Sequence, residues 1–302
     1  MDIVWLEDFL ALVVERNFSR AAESRNLSQP AFSRRIKGLE EWVGARLIDR
    51  DTHRIALTEA GVAFQGVAED VLRRLALGRD EAREISGEQT EMIRFVATQS
   101  LAVTFFPAWL KQLGEGGSLG PISLIADAMV ACENILLGGD ADFLLCHAHP
   151  AAKNRLEETH FRWVKLGKDE LIPISVPENR VPKYALSDGV TARLPFLGFD
   201  ERSGLGHILK ASILSERASA GLRTVFRSHL ASALLNMARN GMGVTWAPLS
   251  LCRSDLDAGR LVRAGGDEWS VPLEIRLFRP RTRRNVAVEE LWSFIARGTE
   301  GQ

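Results

Sequence analysis

The sequence has little of what marks secreted or membrane-bound proteins. Its three cysteines, Cys132, Cys146 and Cys252, are scattered along 302 residues and odd in number, so no disulfide framework is predicted. No uninterrupted apolar run approaches the roughly 18 residues that a membrane-spanning helix needs. The first residues lack the basic and apolar segments of a secretory signal. These absences predict a cytoplasmic protein without a membrane anchor.

The sequence also lacks an excess of charge of either sign. Lysine and arginine together number 38, aspartate and glutamate 39, and the net charge is −1. The whole molecule is therefore not predicted to attract nucleic acids, and any basic surface must be local. Also absent are a nucleophile elbow, a Walker loop, a dinucleotide-binding glycine pattern and a zinc-protease helix. These absences argue against an enzyme, and we expect no cofactor.

Three segments of the chain differ in pattern. Residues 1–57 carry short helical patterns, residues 58–90 form one long segment without proline, and residues 91–302 alternate β-rich and helical stretches. The alternation predicts an α/β domain with mainly parallel sheets. The predicted strands include Ile93–Ala97, Ile122–Ile125, Asp142–Cys146 and Glu170–Ile174.

Within the first segment, two helices joined by a tight turn are predicted. Ser19 is the expected N-cap of the first helix, and the break at Arg25–Leu27 is too short for anything but a turn. Ser28 is the expected cap of the second helix, with Pro30 in its first turn. Leu27 and Phe32 are spaced for a hydrophobic staple, which would fix the angle between the helices.

The second predicted helix has one apolar and one polar face. Apolar residues recur at helical spacing at Phe32, Ile36, Leu39 and Val43. Between Ser28 and Leu39 there are three cations and no acid, and the amide and guanidinium groups suit adenine and guanine edges in the major groove. The polar face carries Gln29, Pro30, Ser33, Arg34 and Lys37, and the third cation is Arg35. A merely solvated face is the alternative, but the stapled turn and the one-sided charge together favour DNA binding.

After this helix, residues 49–57 predict a hairpin wing. Arg50, His53 and Arg54 are candidates for contacts with phosphate or the minor groove, although Asp49 and Asp51 dilute their charge.

Four stretches of the first 65 residues together form a dense motif, namely Asn17–Ala22, Leu27–Ile36, Leu39–Glu40 and Leu57–Gly61. In these stretches the sequence resembles the LysR family of transcriptional regulators. The resemblance implies a winged helix-turn-helix in which Gln29, Pro30, Ser33 and Arg34 approach bases, while Ser19, Ser28, Lys37 and the wing contact the DNA backbone. Ile48 departs from the phenylalanine that is usual in the family.

The long middle segment predicts a dimerisation helix. Its apolar and small residues alternate at spacings of four and three, which is typical of a coiled-coil seam. The seam comprises Phe64, Ala68, Val71, Leu75, Gly78, Ala82 and Ile85. A helix that lies on its own domain is the alternative. The family resemblance implies a homodimer through paired antiparallel linker helices and commonly a homotetramer.

The C-terminal segment is similar to LysR effector domains at Gly241–Pro248, and Phe106–Pro107 stands where the family usually has leucine–proline. The resemblance implies a two-lobed fold like that of periplasmic binding proteins, with one lobe at 91–165 and 267–302 and the other at 166–266. A small effector would lie between the lobes. Helix-start N–H groups and the Ser100 hydroxyl suit a carboxylate or another anion. The effector-binding candidates are Gln99, Ser100, Leu101, Asp127, His147, Ser203 and His229, each of which has a purely local hydrogen bond as its alternative.

The signal itself stays open between a small molecule and an oxidant. The N-terminal residues and Arg279–Asn285 are similar to the hypochlorite-responsive branch of the family, and sulfur oxidation is chemically suited to such a signal. The sulfur candidates are Met129, Met237, Met242 and the cysteines, whereas Leu205 and Leu230 weaken the case for a methionine switch. In the run Cys146–His149, strand alternation separates the candidate ligands, so we expect no metal. An α/β enzyme and a DNA-binding protein without a ligand remain the alternative functions.

Overall fold

The computed structural model describes residues 2–49, 55–85, 92–115, 120–152, 155–156, 161–186, 193–214, 221–282 and 285–299. They form two compact units, one mainly of residues 1–88 and the other mainly of residues 89–302. Among the described residues, none of the helices combines the length and the apolar character that a bilayer crossing requires.

The first unit begins with three helices, α1 (Ile3–Glu15), α2 (Phe18–Ser24) and α3 (Gln29–Val43). The side chain of Asn17 caps α2 by accepting hydrogen bonds from the N–H groups of Ser19 and Arg20, at 2.9 and 3.1 Å. The cap predicted at Ser19 is therefore wrong, because Asn17 has the extended backbone of an N-cap and Ser19 already lies inside the helix. Asn26 turns the chain between α2 and α3 with a φ of 54°, which asparagine tolerates better than most residues.

The start of α3 follows the prediction in position but not in every bond. Ser28 has the extended backbone of an N-cap and Pro30 lies in the first turn, but the Ser28 side chain makes no capping hydrogen bond. Leu27 and Phe32 belong to the same apolar cluster, as the staple requires. The helix ends at Gly44, whose φ of 78° suits glycine.

The wing strands β1 (Ile48–Asp49) and β2 (Ala56–Leu57) pair antiparallel, and α4 (Glu59–Ile85) follows them. Three residues fix this junction. One Glu40 carboxylate oxygen accepts hydrogen bonds from the N–H groups of Leu47 and Ile48 at 2.9 and 3.1 Å. Thr58 caps α4 through the N–H of Gly61 at 2.9 Å, and a Cβ on Gly61 would lie only 2.1 Å from the Leu47 carbonyl oxygen. The motif residues Glu40, Thr58 and Gly61 thus hold the wing against α4.

The first half of α4 packs on its own unit. Phe64 lies 5.7 Å from Phe9 between ring centroids, and Ala68 and Val71 join the apolar cluster of α1 and α3. Leu75 and the residues beyond it whose side chains are described, including Gly78 and Ala82, are exposed. The predicted seam therefore divides, because its N-terminal half is used within the unit and only its C-terminal half is free for a partner.

The second unit is built on a mixed sheet. Parallel strands β3 (Ile93–Thr98), β4 (Ile122–Asp127) and β5 (Phe143–Ala148) form one side. Next come β6 (Phe161–Ser175), the short pair β7 (Pro177–Glu178) and β8 (Val181–Pro182), and the parallel pair β9 (Leu194–Phe199) and β10 (Leu222–Ser228). The last strands are β11 (Thr245–Pro248), β12 (Val262–Arg263) and β13 (Val271–Pro280). In the described part of the chain the main sheet has the order β11-β6-β13-β5-β3-β4, with β12 also on β6.

Helices cover the sheet strands of this unit. They are α5 (Gln99–Thr104), α6 (Phe106–Glu115), α7 (Met129–Leu137), α8 (Gly204–Leu209), α9 (Ala231–Arg239), α10 (Leu249–Asp257) and α11 (Val286–Thr299). A π-helical turn at Lys210–Leu214 continues α8, and a 3₁₀ turn lies at Asp267–Trp269.

Apolar clusters divide the second unit into lobes. One lobe has a core that contains Phe95, Phe143 and Ile275, and the other lobe has a core that contains Trp246, Trp269 and Leu273. The long antiparallel strands β6 and β13 run through both lobes. Because Leu273 and Ile275 belong to different cores, β13 crosses from one lobe to the other at Glu274. Residues 267–273 therefore pack in the second lobe, whereas the sequence analysis placed them in the first.

Candidate DNA-binding surface and effector cleft

The polar face of α3 is open to solvent. Gln29, Pro30, Arg34 and Lys37 are exposed and Ser33 is half-buried. Lys37 and Glu41 form an ion pair at 3.5 Å in which both side chains are about two-thirds exposed, so solvent screens it. Exposed Ser19 and Ser28 flank this face at the starts of α2 and α3. The predicted wing contacts Arg50, His53 and Arg54 lie outside the described residues.

Arg35, the third cation counted in this helix, is engaged inside the unit. Its Nη1 lies 3.2 Å from Oδ2 of Asp8, a carboxylate with 0% exposure on α1. Arg25 donates to the other Asp8 oxygen at 2.9 Å and also pairs with Glu7. Burial would lower the pKa of the Arg25 guanidinium, but its hydrogen bonds to these two carboxylates raise it. The basic face of α3 is therefore formed by Arg34 and Lys37, the two cations that the sequence analysis places on it.

The effector candidates all follow the carboxyl ends of parallel strands. Gln99–Leu101 follow β3, Asp127 ends β4, and His147 lies near the end of β5. In the second lobe, Ser203 follows β9 and His229 follows β10. Such strand ends are the usual ligand position in open α/β sheets. Met129, at the start of α7, reaches across to Gly204 at the start of α8, where a Cβ would meet Met129 Cγ at 3.0 Å.

In the first lobe, the strand ends carry a polar group that the sequence analysis missed. Thr98, the last residue of β3, has a buried Oγ1 to which no described residue forms a hydrogen bond. It is paired in register with Asp127, whose carboxylate accepts from the N–H of Ala128 at 2.6 Å. Ser100 is 8% exposed, whereas Leu101 is fully buried in the apolar core. Leu101 can thus offer a ligand only its backbone. Position at the strand–helix junction was the signal that could have identified Thr98.

In the second lobe, two candidates have local partners. Ser203 caps α8 by accepting from the N–H of Gly206 at 3.2 Å and is 4% exposed. His229 Nδ1 lies 3.6 Å from Asp200 Oδ2, too long for a hydrogen bond. Burial would raise the pKa of the Asp200 carboxyl, but hydrogen bonds from Arg202 lower it overall. His229 therefore faces a carboxylate that is ionised at neutral pH.

His147 belongs to a different polar group, which the sequence analysis did not foresee. Its Nε2 lies 3.1 Å from Asp169 Oδ2, and both side chains are almost fully buried. Ser250, at the start of α10, donates its hydroxyl to the same oxygen at 2.6 Å. Burial would raise the pKa of Asp169, but the hydrogen bonds from His147 and Ser250 lower it. His147 thus contacts Asp169 on β6, the strand that runs through both lobes. Its role therefore differs from that of the candidates at the other strand ends.

The sulfur atoms differ widely in access. All three cysteines are buried. Burial is the largest cause that raises the pKa of Cys132 and of Cys252 to about 12, so neither forms a reactive thiolate at neutral pH. Met129 is 7% exposed and Met242 is 49% exposed. Among the described residues, no group of three side chains is placed to hold a metal ion.

Family models match both units. The model described as a bacterial regulatory helix-turn-helix protein of the lysR family matches residues 3–62. The model described as a LysR substrate binding domain matches residues 86–300. Together they cover α1–α3, the wing, the first residues of α4 and almost all of the second unit.

Individual relatives are similar over nearly the full length. The HTH-type transcriptional regulator YjiE of Escherichia coli K12 is 29% identical over 95% of this chain and 92% of its own. The full-length structure of HypT from Salmonella typhimurium, described as a hypochlorite-specific LysR-type transcriptional regulator, is 28% identical over all of both chains, with a TM-score of 0.61. Vibrio fischeri DarR, solved in complex with DNA, is 29% identical over 98% of both chains, with a TM-score of 0.56.

Proposed function

Because the chain belongs to the LysR family of transcriptional regulators, we propose that it recognises a specific DNA sequence and that a signal received by the second unit controls this binding. The observation that supports this proposal most directly is the exposed polar face of α3. Arg34 and Gln29 lie on this face, and the opposite face of the helix is fully buried. In this proposal the chain acts in the cytoplasm, without catalysis or a cofactor. The domain roles are a reader at 1–57, a linker at 58–90 and a sensor at 91–302.

The residues of the reader have two roles in this proposal. Gln29, Pro30, Ser33 and Arg34 approach base edges, because they share the exposed face of α3. Positioning on phosphates falls to residues that carry small hydroxyls or positive charge. These are Ser19, Ser28, Lys37, Arg50, His53 and Arg54.

Selection of duplexes from a random DNA library by the full chain tests sequence recognition. Arg34→Ala should then weaken binding to the selected duplex by about 1–3 kcal/mol, because a bidentate guanine contact is lost. Arg297→Ala is the matched control, since Arg297 is an exposed arginine of the second unit. Failure to enrich any sequence would contradict the function, and an unchanged affinity of Arg34→Ala would contradict the role of Arg34 alone.

For the sensor we propose a small anionic effector at the strand ends of the two lobes. The buried, unpartnered Thr98 hydroxyl supports this, because a buried polar group without a partner is costly unless a ligand satisfies it. The N–H groups after Thr98 and the Ser100 hydroxyl add further donors for an anion. The other contributors in this proposal are Gln99, Leu101 through its backbone, Asp127, Ser203 and His229, with His147 acting only through Asp169.

A thermal-shift screen with small carboxylic acids tests this site. A bound acid should raise the unfolding temperature of the wild type by mass action. Thr98→Val, which replaces the hydroxyl with a methyl group, should reduce or abolish that shift. Thr224→Val on the exposed face of β10 is the control and should respond like the wild type. If no acid shifts the wild type, the proposed effector class is wrong.

An oxidant is the second candidate signal, favoured by the resemblance to HypT over the whole chain. The buried cysteines do not suit it, so methionine is the sulfur to test, with Met242 exposed and Met129 at the start of α7 between the lobes. Hypochlorite would transfer its oxygen to the thioether and leave as chloride. Oxidant treatment should change affinity for the selected duplex in the wild type but not in a Met129→Leu, Met242→Leu variant. An unchanged affinity of the oxidised wild type would exclude this signal.

We also propose that the chain assembles through the free half of the linker seam. Leu75, Gly78 and Ala82 present a narrow apolar and small-residue stripe that suits close approach of a second helix. A homodimer brings two readers together, which matches the usual recognition of paired half-sites. Further association of the second units would complete a homotetramer.

A further inference from the structure

Two adjacent arginines of α3 have different surroundings. Arg34 is exposed, and no described residue pairs with its side chain. Arg35 is 36% exposed at its side chain, and its guanidinium is held 3.2 Å from the Asp8 carboxylate. The two are neighbours in the sequence and carry the same charge. The structure separates them into one arginine that is available to DNA and one that is withheld.

Asp8 is the residue that makes this separation. Its carboxylate has 0% exposure and lies between Arg35 and Arg25, whose Nε donates to it at 2.9 Å. Removing a carboxylate from water is costly unless cations satisfy it, so the buried charge holds both arginines in place. Because Asp8 belongs to α1, Arg25 to the turn and Arg35 to α3, this three-way contact also fixes the rotation of α3 about its own axis.

We propose that Asp8 limits sequence-independent DNA binding by withholding Arg35 from the phosphates, which leaves Arg34 as the arginine that reads the sequence. This rests on the proposed function, in which the polar face of α3 contacts DNA. A second long cation released on that helix would reach phosphates of any sequence, because phosphate contacts are independent of the bases. It would raise the affinity for DNA of any sequence by a similar factor. Asp8 is thus a positioning residue that is buried away from the DNA.

The test uses the full chain, a duplex selected by the wild type from a random library and a scrambled duplex of the same length and composition. Fluorescence anisotropy titrations at several NaCl concentrations give both affinities and their salt dependence. Asp8→Asn should steepen the plot of log affinity against log salt by roughly 0.9, the value for one added phosphate contact. The affinities for the selected and the scrambled duplex should rise by a similar factor, because the added phosphate contact does not depend on the bases.

Two further variants separate this role from a general loss of structure. Arg35→Ala alone should keep the wild-type salt slope and specificity ratio, because Arg35 does not reach DNA while Asp8 holds it. The double variant Asp8→Asn, Arg35→Ala should have the wild-type salt slope, because the released arginine is gone. If Asp8→Asn had changed the slope by damaging the packing, removal of a second side chain would not restore it. If Asp8→Asn does not fold, Arg35→Ala still decides, since a shallower slope would show that Arg35 already contacts phosphates.

Two results would overturn the proposal. One is a folded Asp8→Asn variant with the wild-type salt slope and the wild-type affinity for the scrambled duplex, and the other is a shallower salt slope in Arg35→Ala alone. The same titrations measure whether the wild type prefers the selected duplex. Absence of that preference would contradict the proposed function instead, so the two failures are distinguishable.

Discussion

Gly61 has no room for a side chain. A Cβ there would lie 2.1 Å from the Leu47 carbonyl oxygen, far inside van der Waals contact. Gly61→Ala should therefore destabilise the first unit by about 2 kcal/mol or more, at the scale of overpacking in a well-packed site. Gly66 in the same helix has no atom within 4 Å of the place where a Cβ would lie. Gly66→Ala should instead stabilise the helix by up to about 1 kcal/mol, and urea unfolding of both variants gives the comparison.

Destabilisation by Gly66→Ala as large as that by Gly61→Ala would contradict this steric explanation. Since both are glycine-to-alanine changes in α4, helix propensity cancels between them. The difference then reports the contact with the wing.

Asp169 should make stability depend on pH. Its pKa is lowered in the folded state, so the hydrogen bonds to its carboxylate contribute fully above the unfolded value of about 3.9 and are lost as pH falls below it. Asp169→Asn should lower the free energy of unfolding by about 1–3 kcal/mol at pH 7, because it removes a charged acceptor from buried hydrogen bonds. The gap between wild type and variant should narrow from about pH 5 downwards.

Asp267→Asn is the control for this pH dependence, because Asp267 is fully exposed. Chemical unfolding of the three proteins between pH 7 and acid pH supplies the measurement. A gap for Asp169→Asn that stays constant as the carboxyl is protonated would contradict the expected role.

These buried polar contacts were the part of the site that sequence reasoning could not find. Asp8 and Arg35 are 27 residues apart, and Asp169 and Ser250 are 81 residues apart. Periodicity locates a residue on one element but does not say which other element packs against it. A single acid among the buried positions of α1 was a local sign that Asp8 needed a partner. It did not show that the partner would remove Arg35 from the basic face.

Among the elements, α4 has one stripe of residues whose first half packs on its own unit and whose second half is proposed to contact a second copy of the chain. Leu75→Glu should weaken self-association at least tenfold, because about 1.4 kcal/mol of apolar contact is enough for that change. Val62→Glu is the control, since Val62 is also exposed but lies about 220° around the helix from Leu75. Analytical ultracentrifugation of both variants measures the dimer dissociation constant. Dissociation by Val62→Glu but not by Leu75→Glu would place the partner on another face.

Element prediction succeeded where the pattern and the packing agreed. The buried face of α3 is formed by the predicted Phe32, Ile36 and Leu39, since helical spacing alone decides which residues face inward. The cap of α2 was missed by two residues because Asn17 and Ser19 are both good caps and only backbone geometry separates them. The sheet was expected to be mainly parallel, yet β6 and β13 are antiparallel, because both strands serve two lobes at once.

At the scale of the whole molecule, the two units have separate apolar cores. The core of the first unit contains Phe9, Phe32 and Ala68, whereas the second unit has its own clusters in each lobe. The division into a helical first unit and an α/β second unit was predictable, because the two segments have different periodicities. The allocation of β13 to two lobes was not, since one continuous strand gives no break in the sequence where Leu273 and Ile275 join different cores.

Separate cores predict separate unfolding. Calorimetry of the full chain should resolve two transitions, because each unit buries its own apolar surface and two-state behaviour holds for single domains more than for multidomain chains. Gly61→Ala should lower only the transition of the first unit, and Asp169→Asn only that of the second. A bound effector should raise the second transition and leave the first unchanged when DNA is absent. If both variants lower one common transition equally, the two units unfold together. The expectation of two independently stable units would then be wrong.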